Sequence, residues 1–323
     1  MTLRLLLVRH GLSSFNKELR IQGRNDLSTL SEEGKLQAIA TGKALAEIPI
    51  NHIYSSPLQR AAETTKNILK QSKRNLIPIY TNGLLEVDLA GWSGLTQNEV
   101  KLKFPDAYSI WKKDPKQLII EKEDGRSFNP IEELIIQAQS FLKDLLNKHS
   151  QEEDPNILIV GHNAILRCIL LSLLGDPPLA FRRLQIDNAS ISIININSTQ
   201  KEPHSVQIEC LNSTTHLSPI VPLKEGNRRL ILVRHGETNW NLEGRFQGQI
   251  DIPLNTTGKK QALSASSFLQ DFPIKKAFSS SLSRPKETAE IILQKHGNID
   301  LELQDSLIEI GHGEWEGKLE EEI

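Results

Sequence analysis

Leu5-Leu6-Leu7-Val8-Arg9-His10-Gly11 recurs at Leu230-Ile231-Leu232-Val233-Arg234-His235-Gly236. An unbroken apolar run of this length fits a strand covered on both faces, as in a parallel sheet, and not the alternation of a sheet with one wet face. The run stops at a cation, an imidazole and a glycine. In open α/β sheets ligands bind beyond the carboxyl ends of the strands, so Arg9 and His10 are expected at the reactive edge. The expected fold class is α/β, a mostly parallel central sheet flanked by helices, and the repeat implies that it is duplicated.

The flanking sequence supplies further elements. Ser31 is expected to cap a helix running to Ala46, with an apolar face of Leu36, Ile39, Ala40 and Leu45. Ile53–Ser55 reads as a short strand, and Ser56-Pro57 as the hydroxyl cap and first residue of a helix to Lys70. Ile77–Tyr80 is a third strand, leading into a loop with Glu86, Asp88, Gly91, Trp92 and Gly94. Residues 95–150 carry Phe104, Tyr108, Trp111 and Phe128 among many charges, with a helix from Ile131 to Lys148. They are expected to form an insertion over the site, outside the sheet. Ile157–Val160 is another apolar strand, ending in Gly161-His162-Asn163 before a helix from Ala164 to Leu174. Ile191–Ile196 and Val206–Leu211 read as a closing hairpin.

Thr214–Gly226 has prolines, serine and threonine but no periodicity, which suits a linker. Beyond it His10 recurs as His235, Arg60 as Arg284 and Glu86 as Glu309, offsets of 225, 224 and 223 residues. Matches this close to one period predict a duplicated domain. The expected organisation is a complete domain over 1–213, a linker over 214–226 and the front part of a second domain over 227–323.

Composition excludes several functions. The 323 residues carry a formal net charge of −2 with Lys and Arg scattered, so no nucleic-acid footprint is present. The longest apolar stretch is interrupted by His162, Asn163 and Arg167, which leaves no membrane span. No signal-like core follows the N-terminus. Two cysteines, Cys168 and Cys210, cannot build a disulfide framework or a zinc site, and Cys168 reads as a small core residue. A cytoplasmic location is expected, and self-association is left open.

An Arg-His-Gly at a strand end is weak evidence alone. A second strand ending in His162, and an arginine opening a helix at Arg60, change its weight. Two histidines and two arginines at the ends of neighbouring elements make a cationic pocket that is costly to assemble unless an anion fills it. Phosphate fits: guanidinium groups bind its oxygens bidentately and helix N-termini add donors. Neutral imidazole is a competent nucleophile, and nearby cations favour its neutral form. His10 is therefore expected to attack phosphorus, with Arg9, Arg60 and His162 stabilising the equatorial oxygens. Glu86 is the carboxylate placed to protonate the leaving alkoxide and then to activate water. No metal or other cofactor is required.

These residues resemble the histidine phosphatase superfamily, also called the phosphoglycerate mutase-like family. Its pattern of Arg-His-Gly-Glu-Thr, an asparagine, then Arg-x-Gln-Gly appears as Arg234, His235, Gly236, Glu237, Thr238, Asn241, Arg245, Gln247 and Gly248. In the first copy it appears as Arg9, His10, Gly11, Ser13, Asn16, Arg20, Gln22 and Gly23, with Leu12 where glutamate is usual. Ser55-Ser56-Pro57-Leu58 with Arg60-Ala61, and Glu86/Trp92/Gly94 repeated as Glu309/Trp315/Gly317, match its other motifs. The resemblance implies substrate-binding roles for Ser13, Asn16, Gln22, Gly23 and Asn163, and equivalent site residues Arg234, His235, Asn241, Gln247, Gly248, Arg284 and Glu309 in the second copy. Trp92 and Trp315 are read as packing residues beneath the acid loops. Gly125-Arg126-Ser127 stands where the family often has Gly-Glu-Ser; Arg126 is either a second anion contact or a solvated surface arginine.

The expected activity is a metal-independent phosphomonoesterase acting on a small phosphorylated metabolite. A cofactor-dependent phosphoglycerate mutase is the alternative, disfavoured because the acid loops carry Trp and residues 95–150 lack paired arginines. A third reading makes the second copy a non-catalytic binding or structural module. The spacing from His10 to His162, applied to His235, runs past Ile323, and neither His296 nor His312 follows an apolar strand. The chain is thus expected to be part of a longer protein in which only the first copy catalyses here and the second is poorly stable alone.

Overall fold

In the computed structural model the run around Leu5 is a strand, β1 (Thr2–Arg9), with Leu5, Leu6, Leu7 and Val8 all shielded from solvent. Residues 2–122, 124–175, 181–197, 205–218 and 228–323 are described. They fall into two compact units, 1–220 and 221–323.

Along the first unit follow α1 (Ser14–Lys17), α2 (Glu32–Ala44), β2 (Ile50–Ser55), α3 (Gln59–Leu69) and β3 (Ile79–Tyr80). Then come α4 (Gln97–Lys103), α5 (Pro105–Lys113), β4 (Ile120–Glu121), β5 (Ser127–Phe128) and α6 (Pro130–Lys148). The unit closes with β6 (Asn156–Gly161), α7 (Asn163–Leu173), β7 (Ile191–Asn197) and β8 (Ser205–Ser213). The six-stranded sheet has the order β3-β2-β6-β1-β7-β8, parallel from β3 to β1 and antiparallel for the β7–β8 hairpin. The expected α/β architecture is therefore present.

β1 lies inside the sheet because successive side chains have apolar partners on opposite faces. Leu6 and Val8 share a cluster with Leu45, Ile53, Ala61 and Ile68, while Leu5 and Leu7 share one with Leu134, Ala138, Leu142, Ile165 and Ile169. Each such burial contributes about 1.5–3 kcal/mol relative to exposure. Register then fixes the reactive edge: Arg9 stands opposite Gly161, and Val8 and Ser55 both stand opposite Val160. Three strands end at one level, so the next residues, His10, His162 and Ser56, emerge side by side.

Several local expectations need correction. Ser31 does cap α2, its hydroxyl accepting from the Gly34 N–H. Of the expected face only Leu45 is buried; the helix itself buries Gly34, Ala38, Thr41 and Gly42, while Leu36 is exposed. Small residues win because the backbones approach closely: a Cβ on Gly42 would sit 2.8 Å from the Ile68 carbonyl oxygen. Helix α3 starts two residues later than expected, at Gln59, and Ser56 is not its N-cap. Asp26 instead accepts the Gln59 N–H at 2.6 Å, and the Ser56 hydroxyl bonds to His162. The third strand shrinks to Ile79–Tyr80, and Ile77 is exposed. Residues 95–150 stay outside the central sheet, with their own β4–β5 hairpin.

The second unit contains α8 (Asn239–Glu243), α9 (Thr256–Leu269), β9 (Ala277–Ser279), α10 (Ser283–Leu293) and β10 (Leu301–Leu303). β9 and β10 form a parallel pair. The expected strand over 230–234 does not form: Leu230 and Leu232 are 81 % and 85 % exposed. Strand propensity alone does not hold an extended segment, and among the described residues this one pairs with no strand on either side. Trp315, expected beneath the acid loop, is half-exposed and leans on Phe246. Of the expected linker, residues 219–226 lie outside the described residues. Among the described residues no helix is long and apolar enough to cross a membrane.

Candidate active site

His10 leaves the end of β1 buried, and the loop behind it is clamped. The Gly11 N–H donates to Thr64 Oγ1 at 3.1 Å, and a Cβ on Gly11 would meet the Gly34 carbonyl oxygen at 2.4 Å. His10 Nδ1 lies 2.7 Å from the Gly11 carbonyl oxygen. A carbonyl only accepts, so Nδ1 carries the proton and Nε2 keeps its lone pair. Burial, then the charges of Arg60 and Arg9, hold this imidazole well below its ordinary 6.5. The ring of His162 stands 5.2 Å away, tilted by 60°, with its Nε2 2.7 Å from Ser56 Oγ. Its titration is likewise pushed well down by burial, Arg60, His10 and Arg9.

The two arginines are fixed by backbone carbonyls. Arg9 Nη1 donates to the Ile186 oxygen at 2.7 Å; Arg60 donates from Nη1 to Asn25 at 3.0 Å and from Nη2 to Gly23 at 2.9 Å. Burial lowers both guanidiniums to about 10, against the attraction of Glu86. Arg9 Nε and Arg60 Nε are buried with no hydrogen-bond partner among the described residues, as is the His162 Nδ1 atom.

Glu86 is buried at the start of α7. Its Oε1 accepts from Val87 N at 2.9 Å, Ala164 N at 3.1 Å and Ile165 N at 3.2 Å. It thereby caps a helix whose own N-cap, His162, makes no capping bond. Arg24 Nε donates to the Glu86 carbonyl at 3.0 Å, and Gln137 of α6 donates to the carbonyls of Gly83 and Leu85. The 95–150 segment thus helps to set the acid loop. Trp92 is buried beneath that loop against Phe104, Tyr108 and Trp111, as a packing residue.

The remaining expected residues surround this centre. Ser13 Oγ lies 2.9 Å from Asn16 Oδ1 and 3.0 Å from Gln22 Oε1. Asn163 Nδ2 donates at 2.9 Å to Ile186, the carbonyl that also holds Arg9. Gly23, at φ +50° with no room for a Cβ beside Ser93, presents its carbonyl to Arg60. Arg126 pairs with Asp124 on an exposed turn. Cys168 is fully buried, and burial raises its thiol.

Sequence reading missed three contributors. Asn188 Nδ2 lies 3.0 Å from the His10 oxygen, 3.2 Å from that of Gly11 and 3.1 Å from Asn16 Oδ1. It belongs to a loop with no motif. Ser56, whose place before Pro57 suggests a helix cap, instead meets His162. Arg167, one helical turn after Asn163, is largely buried, with its guanidinium 5.3 Å from the Phe181 ring and Nε unpartnered. Its i, i+4 spacing from Asn163 was the available signal.

The second unit repeats part of this geometry. His235 Nδ1 lies 2.7 Å from the Gly236 oxygen, Gly236 N donates to Thr288 Oγ1 at 3.1 Å, and Thr238 Oγ1 lies 2.8 Å from Gln247 Oε1 and 3.1 Å from Asn241 Oδ1. Arg284 donates to the carbonyls of Ile250 and Gly248 at 3.0 and 2.7 Å. Its Nε, however, points at His235 Nε2 from 3.3 Å. Arg234 and Glu309 are exposed, and the Glu309 carboxylate accepts from Ile310 N. His312 meets Phe246 edge to face, and His296 follows α10.

The sequence profile of the histidine phosphatase superfamily (branch 1) matches residues 5–209 and 230–323. The chain is similar to the 2-carboxy-D-arabinitol-1-phosphatase of Triticum aestivum, 31% identical over 90% of this chain and 57% of that protein. It is also similar to phosphoserine phosphatase 1 of Hydrogenobacter thermophilus, 32% identical over 66% of this chain and 94% of that one. Among solved structures, a putative alpha-ribazole-5'-P phosphatase from Escherichia coli matches with a TM-score of 0.56 and 25% identity, covering 65% of this chain and 96% of that one. The chain spans about half the length of the plant relatives that it matches.

Proposed function

The chain belongs to the histidine phosphatase superfamily, and from its first unit we propose a phosphomonoesterase that works through a phosphohistidine on His10. One observation carries the reading: Arg9 Nε and Arg60 Nε are buried without partners, both guanidinium charges act on His10, and His162 Nδ1 is likewise unpartnered in the adjoining ring. Buried donors of this kind are costly unless an anion meets them. A phosphoryl group offers three equatorial oxygens while its phosphorus faces the imidazole.

Each bond change has a residue to serve it. His10 Nε2 attacks phosphorus, the P–N bond forms and the ester P–O bond breaks. Arg9, Arg60 and His162 hold the charge on the equatorial oxygens, and Glu86 gives a proton to the departing alkoxide. Water then attacks the phosphohistidine, Glu86 takes its proton, and the P–N bond breaks to return neutral His10. The arginines supply the charge stabilisation, so no step calls for a metal ion.

The relatives' printed names point to small polar phosphomonoesters, among them a carboxylated sugar phosphate and phosphoserine, as the substrate class. Ser13, Asn16, Gln22 and Asn163 shape the pocket around that substrate. The recurring contacts of His235, Arg284 and Thr238 support a duplicated domain in which the first copy is catalytic. The second is non-catalytic in this chain, since Arg284 Nε is engaged by His235 itself.

The test is a rapid acid-free quench with phosphorus-labelled substrate. Label should appear on the protein as an acid-labile, base-stable adduct, be absent from His10→Ala, and leave as inorganic phosphate. Label that passes to a second metabolite molecule would make the enzyme a mutase.

A further inference from the structure

A second cluster of chemistry-bearing side chains lies at the opposite end of β2. His52 Nε2 is 2.6 Å from Glu152 Oε2, and His149 Nδ1 is 2.7 Å from Glu152 Oε1. One donor atom from each residue falls within 4.8 Å of the others. We propose that His52, His149 and Glu152 form a binding site for a divalent cation of the zinc type.

Three features of the chain support it. Two imidazoles and one carboxylate are the donor set that zinc takes when a fourth position stays open to water. That position is available, because the side chains of His52 and Glu152 are 32 % and 39 % exposed while His149 is buried. The pairing of β2 with β6 is irregular between Ile50 and His52, and a bulge of this kind re-aims a side chain. The third feature is outside the donor set: Tyr54 Oη lies 2.8 Å from His149 Nε2, fixing the ring with Nδ1 toward Glu152. Metal-bound histidines are oriented by such partners on their other nitrogen.

Binding is chemically balanced. The protons now shared with Glu152 by His149 Nδ1 and His52 Nε2 leave those nitrogens, each ring keeping one on its other nitrogen, and the Tyr54 hydroxyl turns from donor to acceptor. Any net proton released goes to solvent. Ligands about 2.0–2.1 Å from a tetrahedral ion stand roughly 3.3 Å apart, so Glu152 backs away by less than about 1 Å while donor atoms that now stand up to 4.8 Å apart close to that spacing. It sits in a short turn closed by its N–H on the His149 carbonyl at 3.2 Å, in the connection from α6 to β6. The ion would tie that connection to β2. Ser56, which touches His162, is four residues from His52, about 13 Å along an extended strand. The site is therefore separate from the phosphate pocket.

The experiment uses the full chain, stripped with EDTA and dialysed, then titrated with zinc chloride, with magnesium chloride as the hard-cation control. Zinc should raise the unfolding temperature of the wild type by about 5 °C or more when saturating. It should shift His52→Gln and Glu152→Gln, both at part-exposed positions, by much less. Cobalt(II) should give a tetrahedral visible spectrum in the wild type only. Phosphatase turnover should be the same in stripped and loaded protein. No zinc effect on the wild type, or an equal effect in both variants, overturns the site.

Discussion

Glu86 caps the helix that His162 begins: its carboxylate accepts the Ala164 and Ile165 N–H groups, in the first turn after that histidine. The proposed acid and the second buried imidazole of the pocket are thereby set by one helix end. A displacement of α7 moves both together.

Glu86→Gln keeps an acceptor for those N–H groups but loses the proton. Turnover of alkyl phosphates should fall about 10²-fold or more, while an aryl phosphate with a good leaving group should lose less than about tenfold. Urea midpoints should stay near wild type for Gln and drop for Ala, which removes the cap at a cost of about 1 kcal/mol. Equal kinetic losses on both substrates would assign Glu86 to binding.

His10→Ala should reduce turnover by at least about 10³-fold, as expected for a lost nucleophile. His235→Ala should leave it within about twofold of wild type, because Arg284 already occupies the His235 lone pair and Arg234 faces solvent. Steady-state assays of the two variants in the same full chain decide the matter. A large loss in His235→Ala would place catalysis in the second unit.

Arg60→Lys tests the fork. Lysine cannot reach the Gly23 and Asn25 carbonyls while also offering a third donor to the pocket. Turnover should fall by about 10²-fold with the fold retained, as judged by circular dichroism.

The two site histidines also make stability depend on pH. Burial and the arginines hold His10 and His162 neutral well below 6.5. The unfolded chain takes up protons there that the folded chain refuses, so the penalty is absent above that pH and grows as pH falls beneath it. The urea midpoint should therefore drop between about pH 7.5 and about pH 5.5, and less steeply in His10→Gln. A midpoint independent of pH in both proteins would mean the imidazoles ionise freely when folded.

What sequence could reveal follows from what each feature is made of. β1 was legible because a strand buried on both faces must be apolar at every position. His10, Arg60, Glu86 and His162 were legible because they end or open elements, or recur. The α2 face was misread because close helix packing selects glycine and alanine, which carry little hydrophobic signal. The 230–234 strand was misread because pairing is a property of neighbours. Asn188 and Ser56 act through loop geometry, and His52, His149 and Glu152 converge only through a bulge and a turn.

The oxygens that hold Arg9 and Arg60 come from the main chain of Ile186, Asn25 and Gly23. Every residue type has such an oxygen. Drift in the side chain at 25 can thus proceed without disturbing the guanidinium, whereas insertion or deletion of one residue in either loop would turn the carbonyl away. Lineages carrying this pocket should keep the length of these loops more strictly than the side chain at position 25, while Gly23 stays fixed by its backbone and Ile186 by its burial.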